Sequence, residues 1–395
     1  MESHRRCVFR QKFQPRYEER NAMKFSITRE ALLRPLSLVA GVVERRQTLP
    51  VLSNVLLDAS DNGLSLTGTD LEVELIGHAD MDTLDAAGAT TVPARKLMDI
   101  CKSLPDSTMI NIALEEGRAV LRAGRSRFTL STLSAAEFPN IEEGKQDSEL
   151  TLPRGTLKRL IDATSFAMAQ QDVRYYLNGM LFELKPDEVR VVATDGHRLA
   201  TAAATGQYDL AAPQRLILPR KGVLELARLL DDSDEPITLV IGPNHLRART
   251  GGFVFTSKLI DGKFPDYERV IPRGGDKHVL AERGELRQVL SRTAILSNEK
   301  YRGVRLFIES GNLRVQANNP EQEEAEENIN VDYQGNSLEI GFNVGYLVDV
   351  LNVLDSDRVH ITLSDPNSSA LLERALDDDV KMAVTAQYVV MPMRL

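Results

Sequence analysis

Cysteine is nearly absent from this sequence, with only Cys7 and Cys101 in 395 residues. Two thiols can neither build a disulfide framework nor, alone, hold a structural zinc, so a reducing compartment suits the chain. Cys101 falls in a helical pattern and is expected to be a packing residue. Long apolar runs are missing too. No stretch reaches the roughly 18 apolar residues that a membrane-spanning helix needs. Residues 1–22 carry Arg5, Arg6, Arg10, Lys12, Arg16 and Arg20 without the apolar centre of a secretion signal. A cytoplasmic protein with no membrane partner is therefore expected. Walker A, HExxH, GxSxG and GxGxxG patterns do not occur, nor do zinc-ligand spacings or a base-reading motif. No cofactor and no metal are expected. Basic residues are in deficit, 48 Lys and Arg against 57 Asp and Glu, for a net charge of −9. On average that opposes a phosphate partner, unless a basic face is hidden within it.

What is present reads as ordinary globular protein, 42% hydrophobic and 27% charged. At roughly 100–200 residues per domain, the length favours two to four domains. Internal similarity narrows this. The segment Val92-Pro93-Ala94-Arg95-Lys96-Leu97 recurs as Leu218-Pro219-Arg220-Lys221-Gly222-Val223 and, more faintly, as Phe342-Asn343-Val344-Gly345-Tyr346-Leu347. Thr69-Asp70-Leu71-Glu72 recurs as Thr194-Asp195-Gly196-His197 and Asn318-Asn319-Pro320-Glu321. Phe138-Pro139-Asn140 recurs as Phe264-Pro265-Asp266 and Met391-Pro392-Met393. All three anchors keep one spacing, between 124 and 127 residues, so the chain is read as three repeats of one unit.

Each unit has one grammar. An opening helix carries apolar residues at helical spacing, as in Ile27, Ala31, Leu32, Leu36 and Val39, in Leu157, Leu160 and Ile161, or in Leu286, Val289, Leu290 and Ile295. Alternating strands follow, such as 64–67 and 189–192. A second helix begins after the Pro anchor or its Asn counterpart, as in 222–230 and 344–354. Further strands, including 127–131, 253–256 and 383–385, close the unit. Two helices against antiparallel sheet, three times over, is an α+β array. Polar linkers at 142–148 and 273–278 suggest units at 23–145, 146–275 and 276–395, after an extension over 1–22 that is expected to be disordered.

Three local patterns invite function. Asp195-Gly196-His197-Arg198 could orient a general base, but no nucleophile accompanies it. Asp-Gly is also a strong hairpin signal, so a turn lining a protein-binding pocket is the better reading. The run Glu321, Glu323, Glu324, Glu326 and Glu327 reads on composition alone as a solvated acidic face. The end of the chain, Val389 to Leu395, is apolar where chain ends are usually polar; a buried final strand is the simpler reading.

Longer segments carry a resemblance to a known family. MKF at 23–25, ARK at 94–96, DVRYYLNGMLFE at 172–183, ATDGHRLA at 193–200 and PRKG at 219–222 are similar to segments of the bacterial DNA polymerase III β subunits, the sliding clamps. FPDYERV at 264–270, ILSNEKYRGVRL at 295–306, NNPEQEEAEE at 318–327 and YVVMPMRL at 388–395 extend the likeness, while residues 366–381 depart from the pattern. The resemblance implies three DNA-clamp domains and a head-to-tail homodimer closing a six-domain ring, helices inside and sheets outside. It implies a non-catalytic processivity factor that encircles double-stranded DNA without sequence preference. Its partners would be the polymerase III α subunit, the clamp loader, other polymerases and repair proteins, held through short peptide motifs.

Site residues follow from the same resemblance. Arg46, Arg95, Tyr175 and Tyr176 would contact DNA. Lys96, Ile100, Leu104, Arg125, Arg127 and Phe128 would face Ile295, Leu296 and the acids at 321, 323, 324, 326 and 327 across the dimer interface. The peptide pocket would comprise Leu177, Thr194, Gly196, His197, Arg198, Leu199, Pro265, Arg269, Val270, Val389, Met391, Pro392, Met393 and Arg394. Arg174, Tyr176, Asn343, Tyr346 and Ser369 would stand at its margin. If helices line the hole, their charge should oppose that of the whole chain. The stretches 28–40, 94–104, 153–170, 219–230, 281–298 and 343–354 together carry +7, although the last, with Asp349 alone, carries −1. Helix propensity alone would also enrich Lys and Arg there. The alternatives are a specialised clamp paralogue with the same fold, or an enzyme built on the Asp195–Arg198 turn.

Overall fold

The computed structural model describes residues 22–44, 49–139, 141, 148–375 and 384–394. Cys7, Arg46, Leu395, residues 1–21 of the extension and 142–147 of the first linker lie outside them. The first repeat contains β1 (Lys24–Thr28), α1 (Arg29–Val42), β2 (Asn54–Ser60), β3 (Gly63–Thr69), β4 (Val73–Ala79), β5 (Thr83–Ala86), β6 (Gly88–Pro93), α2 (Ala94–Ser103), β7 (Met109–Glu115), β8 (Arg118–Ala123) and β9 (Ser126–Ser131). The second contains β10 (Ser148–Pro153), α3 (Arg154–Thr164), β11 (Gly179–Leu184), β12 (Glu188–Thr194), β13 (Arg198–Thr205), β14 (Gln214–Pro219), α4 (Arg220–Ala227), β15 (Pro236–Ile241), β16 (His245–Thr250) and β17 (Phe253–Lys258). The third contains β18 (Lys277–Glu282), α5 (Arg283–Thr293), β19 (Gly303–Glu309), β20 (Asn312–Asn318), β21 (Glu324–Asn330), β22 (Leu338–Asn343), α6 (Val344–Val353), β23 (Arg358–Leu363), β24 (Ala370–Arg374) and β25 (Thr385–Val390). Three repeats of two helices on antiparallel sheet are thus present.

Packing divides the chain into two units, one of residues 1–145 with 247–257 and one of 146–246 with 258–395. In the first unit, one antiparallel sheet has the order β5-β1-β7-β8-β9. A second sheet pairs β6, β2, β3, β4 and β17 in that order. Helix α1 places Leu32, Leu36, Val39 and Ala40 inward, one stripe of a 3.6-residue period. It lies so close to β3 that a Cβ on Gly68 would stand 2.8 Å from the Val39 side chain and its carbonyl oxygen. In the second unit, an eight-stranded antiparallel sheet runs β14-β11-β12-β13-β25-β24-β23-β18, so strands of the second and third repeats join edge to edge at β13 and β25. A four-stranded sheet has the order β21-β20-β19-β22.

The repeat is clearer in the hydrogen bonds than in the residues. Each opening helix begins with an arginine whose backbone N–H bonds to the loop after the second helix: Arg29 to Thr108 O, Arg154 to Glu235 O and Arg283 to Asp357 O, at 2.8–2.9 Å. In two repeats the side chain also reaches carbonyls at the second helix's C-terminal end, Arg29 Nε to Cys101 O at 2.9 Å and Arg283 Nη1 to Leu351 O at 3.1 Å. A cation there satisfies orphan carbonyls and opposes the negative end of the helix dipole. The second helices start directly after Pro93, Pro219 and Asn343, as the anchors suggested. Proline's fixed φ suits the entry to a helix; Asn343 instead accepts from Gly345 N with its side chain.

Some local expectations are corrected. Ile27 belongs to β1, paired with Ile110, because a β-branched residue fits the half-buried ladder and the helix starts two residues later. Ile295 lies beyond α5, in a 3-10 turn at Ala294–Leu296, and α4 ends at Ala227 rather than Leu230. Strand β25 begins at Thr385, with Ala383 outside the described residues.

Candidate peptide-binding groove

The turn from β12 to β13 is built by its own side chains. Thr194 Oγ1 donates to Arg198 O at 2.6 Å and accepts from Gly196 N at 3.1 Å. Asp195 Oδ1 accepts from the N–H groups of His197 and Arg198. The first repeat makes the same turn: Thr69 Oγ1 bonds Val73 O and Leu71 N, and Asp70 Oδ1 accepts from Glu72 N and Val73 N. One turn design at two equivalent places marks these aspartates as turn builders, not as orienters of a base. Gly196 has φ +88°, and a Cβ there would meet the Arg174 guanidinium at 2.8 Å. Arg174 lies over the turn, donating from Nη2 to Asp195 O at 3.1 Å and from Nε and Nη2 to Asp172. That paired guanidinium, helped by Arg174 N–H, holds the Asp172 carboxyl down to about 2.

Beneath the turn lies an apolar floor of Leu177, Leu181, Val192, Leu199, Phe264, Leu371 and Val389, with Tyr176 and Val270 packed against it. Strand alternation puts Leu199, Val389 and Leu371 side by side on one face, since Leu199 pairs with Val389 and Val389 with Leu371. Fully burying such a side chain stabilises by about 1.5–3 kcal/mol. The segment that carries Pro265, Arg269 and Val270 is fixed by Tyr267, whose hydroxyl donates to the buried Glu183 Oε2 at 2.5 Å. Burial and that acceptor raise the Tyr267 pKa above its ordinary value.

The chain end supplies another wall. Met391 N donates to His197 O at 2.9 Å and Met393 N to Gly341 O at 2.8 Å, so residues 391–393 are pinned between the second repeat's turn and β22. Met391 is still 38% exposed, and Pro392 and Met393 are half-buried. The His197 ring stacks on Tyr346 with centroids 6.2 Å apart and 19° between planes. Asn343 donates to Tyr301 O, and Ser369 is half-buried just before β24.

The structure brings together Arg174, Leu177, Thr194, Gly196, His197, Arg198, Leu199, Val389 and Met391, with Tyr176 and Val270 against the floor and Tyr346 beside His197; Arg269 pairs instead with Asp266, and Arg394 is exposed. Thr194 and Arg198 also hold the turn through their own hydrogen bonds. Sequence reasoning missed Phe166, Asp172 and Asp349, which anchor that frame; the one signal was Asp349, the lone charge on α6. Tyr176 is half-buried against the floor, whereas Tyr175 is 56% exposed. Arg95 is exposed on α2; Arg46 lies outside the described residues.

The expected interface residues fall at two sheet edges. Strand β9, the outer strand of its five-stranded sheet, carries exposed Arg127 and half-buried Phe128, with exposed Arg125 just before it. Exposed Lys96 and half-buried Ile100 stand on α2. Strand β21 is the outer strand of the four-stranded sheet and carries Glu324, Glu326 and Glu327, with Glu321 and Glu323 exposed just before it. Near it Ile295 is 76% exposed and Leu296 half-buried. Leu104, at 8% exposure, is largely covered within its own chain. Two of the acids already have ion-pair partners, Glu327 with Arg292 at 2.5 Å and Glu326 with Arg314 at 3.3 Å, while Glu323 and Glu324 accept from Asn319 and Gln316.

The repeated α+β units, sheet edges of opposite charge and an apolar groove beneath a fixed turn define a scaffold that binds other chains. The chain belongs to the DNA polymerase III beta subunit family. Models of that family's N-terminal, central and C-terminal domains match residues 23–142, 151–266 and 268–394. The chain is 61% identical over 373 residues to a beta sliding clamp of Pseudomonas putida and 53% identical to that of Escherichia coli K12, covering 94% of this chain and 100% of each relative. Among solved structures, a DnaN sliding clamp from Pseudomonas aeruginosa bound to griselimycin is similar at 60% identity and a TM-score of 0.90, covering 95% of this chain and 100% of that one. A Caulobacter crescentus clamp is similar at 38% identity and a TM-score of 0.89, over 95% of this chain and 100% of that one.

Proposed function

We propose that this chain is a DNA polymerase processivity factor: a head-to-tail homodimeric ring that encircles duplex DNA and tethers polymerases and the clamp loader through the groove. Its work is topological and non-catalytic, carried out in the cytoplasm, and its repeats act as domains bounded near 145 and 275. The single observation that carries this is the groove itself, an apolar floor shared by two repeats whose outer wall is the chain's own end, within a chain matched by the clamp family from residue 23 to 394.

The ligand that fits is a short extended peptide with Leu or Phe anchors. Methionines at 391 and 393 suit a wall that must accept several sequences, because their side chains are flexible and polarizable. Ring closure is supported by the two outer strands. Arg125 and Arg127, just before and on β9, complement the acids on and just before β21, around Ile100, Phe128, Ile295 and Leu296 as an apolar centre. DNA contact is assigned to Arg46, Arg95, Tyr175 and Tyr176. A positive sum on the helix stretches of an acidic protein gives non-specific attraction where the ring would hold DNA.

Deleting residues 391–395 tests the groove. Binding of a labelled partner peptide should be abolished while the dimer persists and thermal stability falls only modestly. Undiminished peptide binding would remove the groove assignment, and an unfolded product would make this segment structural only.

A further inference from the structure

Arg198 is the most heavily committed cation beside the groove. Its Nε donates to Asp195 Oδ2 at 3.1 Å, its Nη2 to Phe166 O at 2.9 Å and its Nη1 to Asp349 Oδ2 at 2.5 Å. The guanidinium carbon also lies 5.1 Å from the Phe166 ring centroid and 4.6 Å from that of Tyr346. The side chain is only 12% exposed. Three elements therefore converge on one guanidinium: the turn after β12, the 3-10 turn after α3, and α6 of the third repeat. Asp349 is the only charged residue on α6, and it is spent on this contact.

Resting on the groove reading above, we propose that Asp349 is a positioning residue for peptide capture. It fixes Arg198, and through Arg198 the Tyr346 ring and the His197 ring stacked on it, so that the third repeat's side of the groove is set in register with the floor before any ligand arrives. Asp195 and Phe166 bind Arg198 from the second repeat, and Asp349 binds it from the third. Without Asp349 the guanidinium keeps its second-repeat acceptors but loses its hydrogen bond to α6. Tyr346, one helical turn before Asp349 and on the same face, then loses its fixed partner. A wall that must be ordered on binding costs affinity that a preorganised wall does not. The Asp349 side chain is 43% exposed, so its loss should cost the fold little while loosening the groove.

The test uses the full-length dimer and a fluorescent peptide with Leu and Phe anchors, read by anisotropy beside thermal melting. Asp349→Ala should weaken binding about tenfold with nearly unchanged melting, whereas Asp349→Asn, which keeps an acceptor for Arg198, should stay within about threefold of wild type. The proposal is overturned if Asp349→Ala binds within about twofold of wild type. It is equally overturned if Ala and Asn variants weaken alike and in step with a falling melting temperature, since that is general destabilisation. If the wild-type protein itself fails to bind the peptide, the groove reading falls and this inference with it.

Discussion

Gly196 shows how narrowly the groove is specified by single residues. It combines φ +88° with an arginine 2.8 Å from where a Cβ would stand, so Gly196→Ala meets both backbone strain and a displaced Arg174. A cost of about 1–2 kcal/mol is expected, read as a lower melting temperature together with weaker peptide binding. Asp172 governs the pH response of the same corner. Its carboxyl is held down to about 2, below the ordinary 3.8, by its hydrogen bonds with Arg174. A depressed folded-state value means the contribution is complete above about pH 4 and is lost as pH falls through 2. Peptide affinity should therefore stay flat from pH 8 to 5; a fall within that range would contradict this. Cys101 is buried and its thiol is pushed up to about 11, chiefly by desolvation. It should resist alkylation at pH 8 until the protein is unfolded, as mapped by mass spectrometry.

At the scale of elements, β9 and β21 are open edges whose rows of backbone donors and acceptors need a partner or a guard. Ile295→Ala with Leu296→Ala should give monomers in sedimentation, at about 2–5 kcal/mol per side chain buried in the interface. Arg125→Glu should weaken the dimer less and more strongly at low salt. A double variant that remains dimeric at nanomolar concentration would show that the interface lies elsewhere. Much of this level was legible in the sequence. Pro93, Pro219 and Asn343 marked the starts of α2, α4 and α6, and the Thr69-Asp70 and Thr194-Asp195 pairs marked equivalent turns. The turn and the floor residues Leu177, Leu199 and Val389 fall in the long unbroken segments that carry the resemblance. What stayed hidden depends on packing between distant positions. Ile27 has the apolar character of a helix stripe, yet its pairing with Ile110 places it in a strand. The Arg198–Asp349 contact joins residues 151 apart in the chain, a distance at which no local spacing carries a signal.

The whole molecule reconciles a net charge of −9 with a nucleic-acid partner by segregating its charges, +7 on the helix stretches and the excess acid elsewhere. In the proposed ring a weakly positive lumen would attract phosphate without fixing register, and base contacts would stall its sliding. Arg95→Ala should accordingly lower affinity for unrelated DNA sequences alike and flatten the salt slope. The central claim is enclosure rather than tight binding, and retention on DNA measures it most directly. After loading onto a nicked circular plasmid, the protein should remain through gel filtration at moderate salt and be released when the plasmid is linearised. Equal retention on circular and linear DNA, or release from both, would contradict a closed ring.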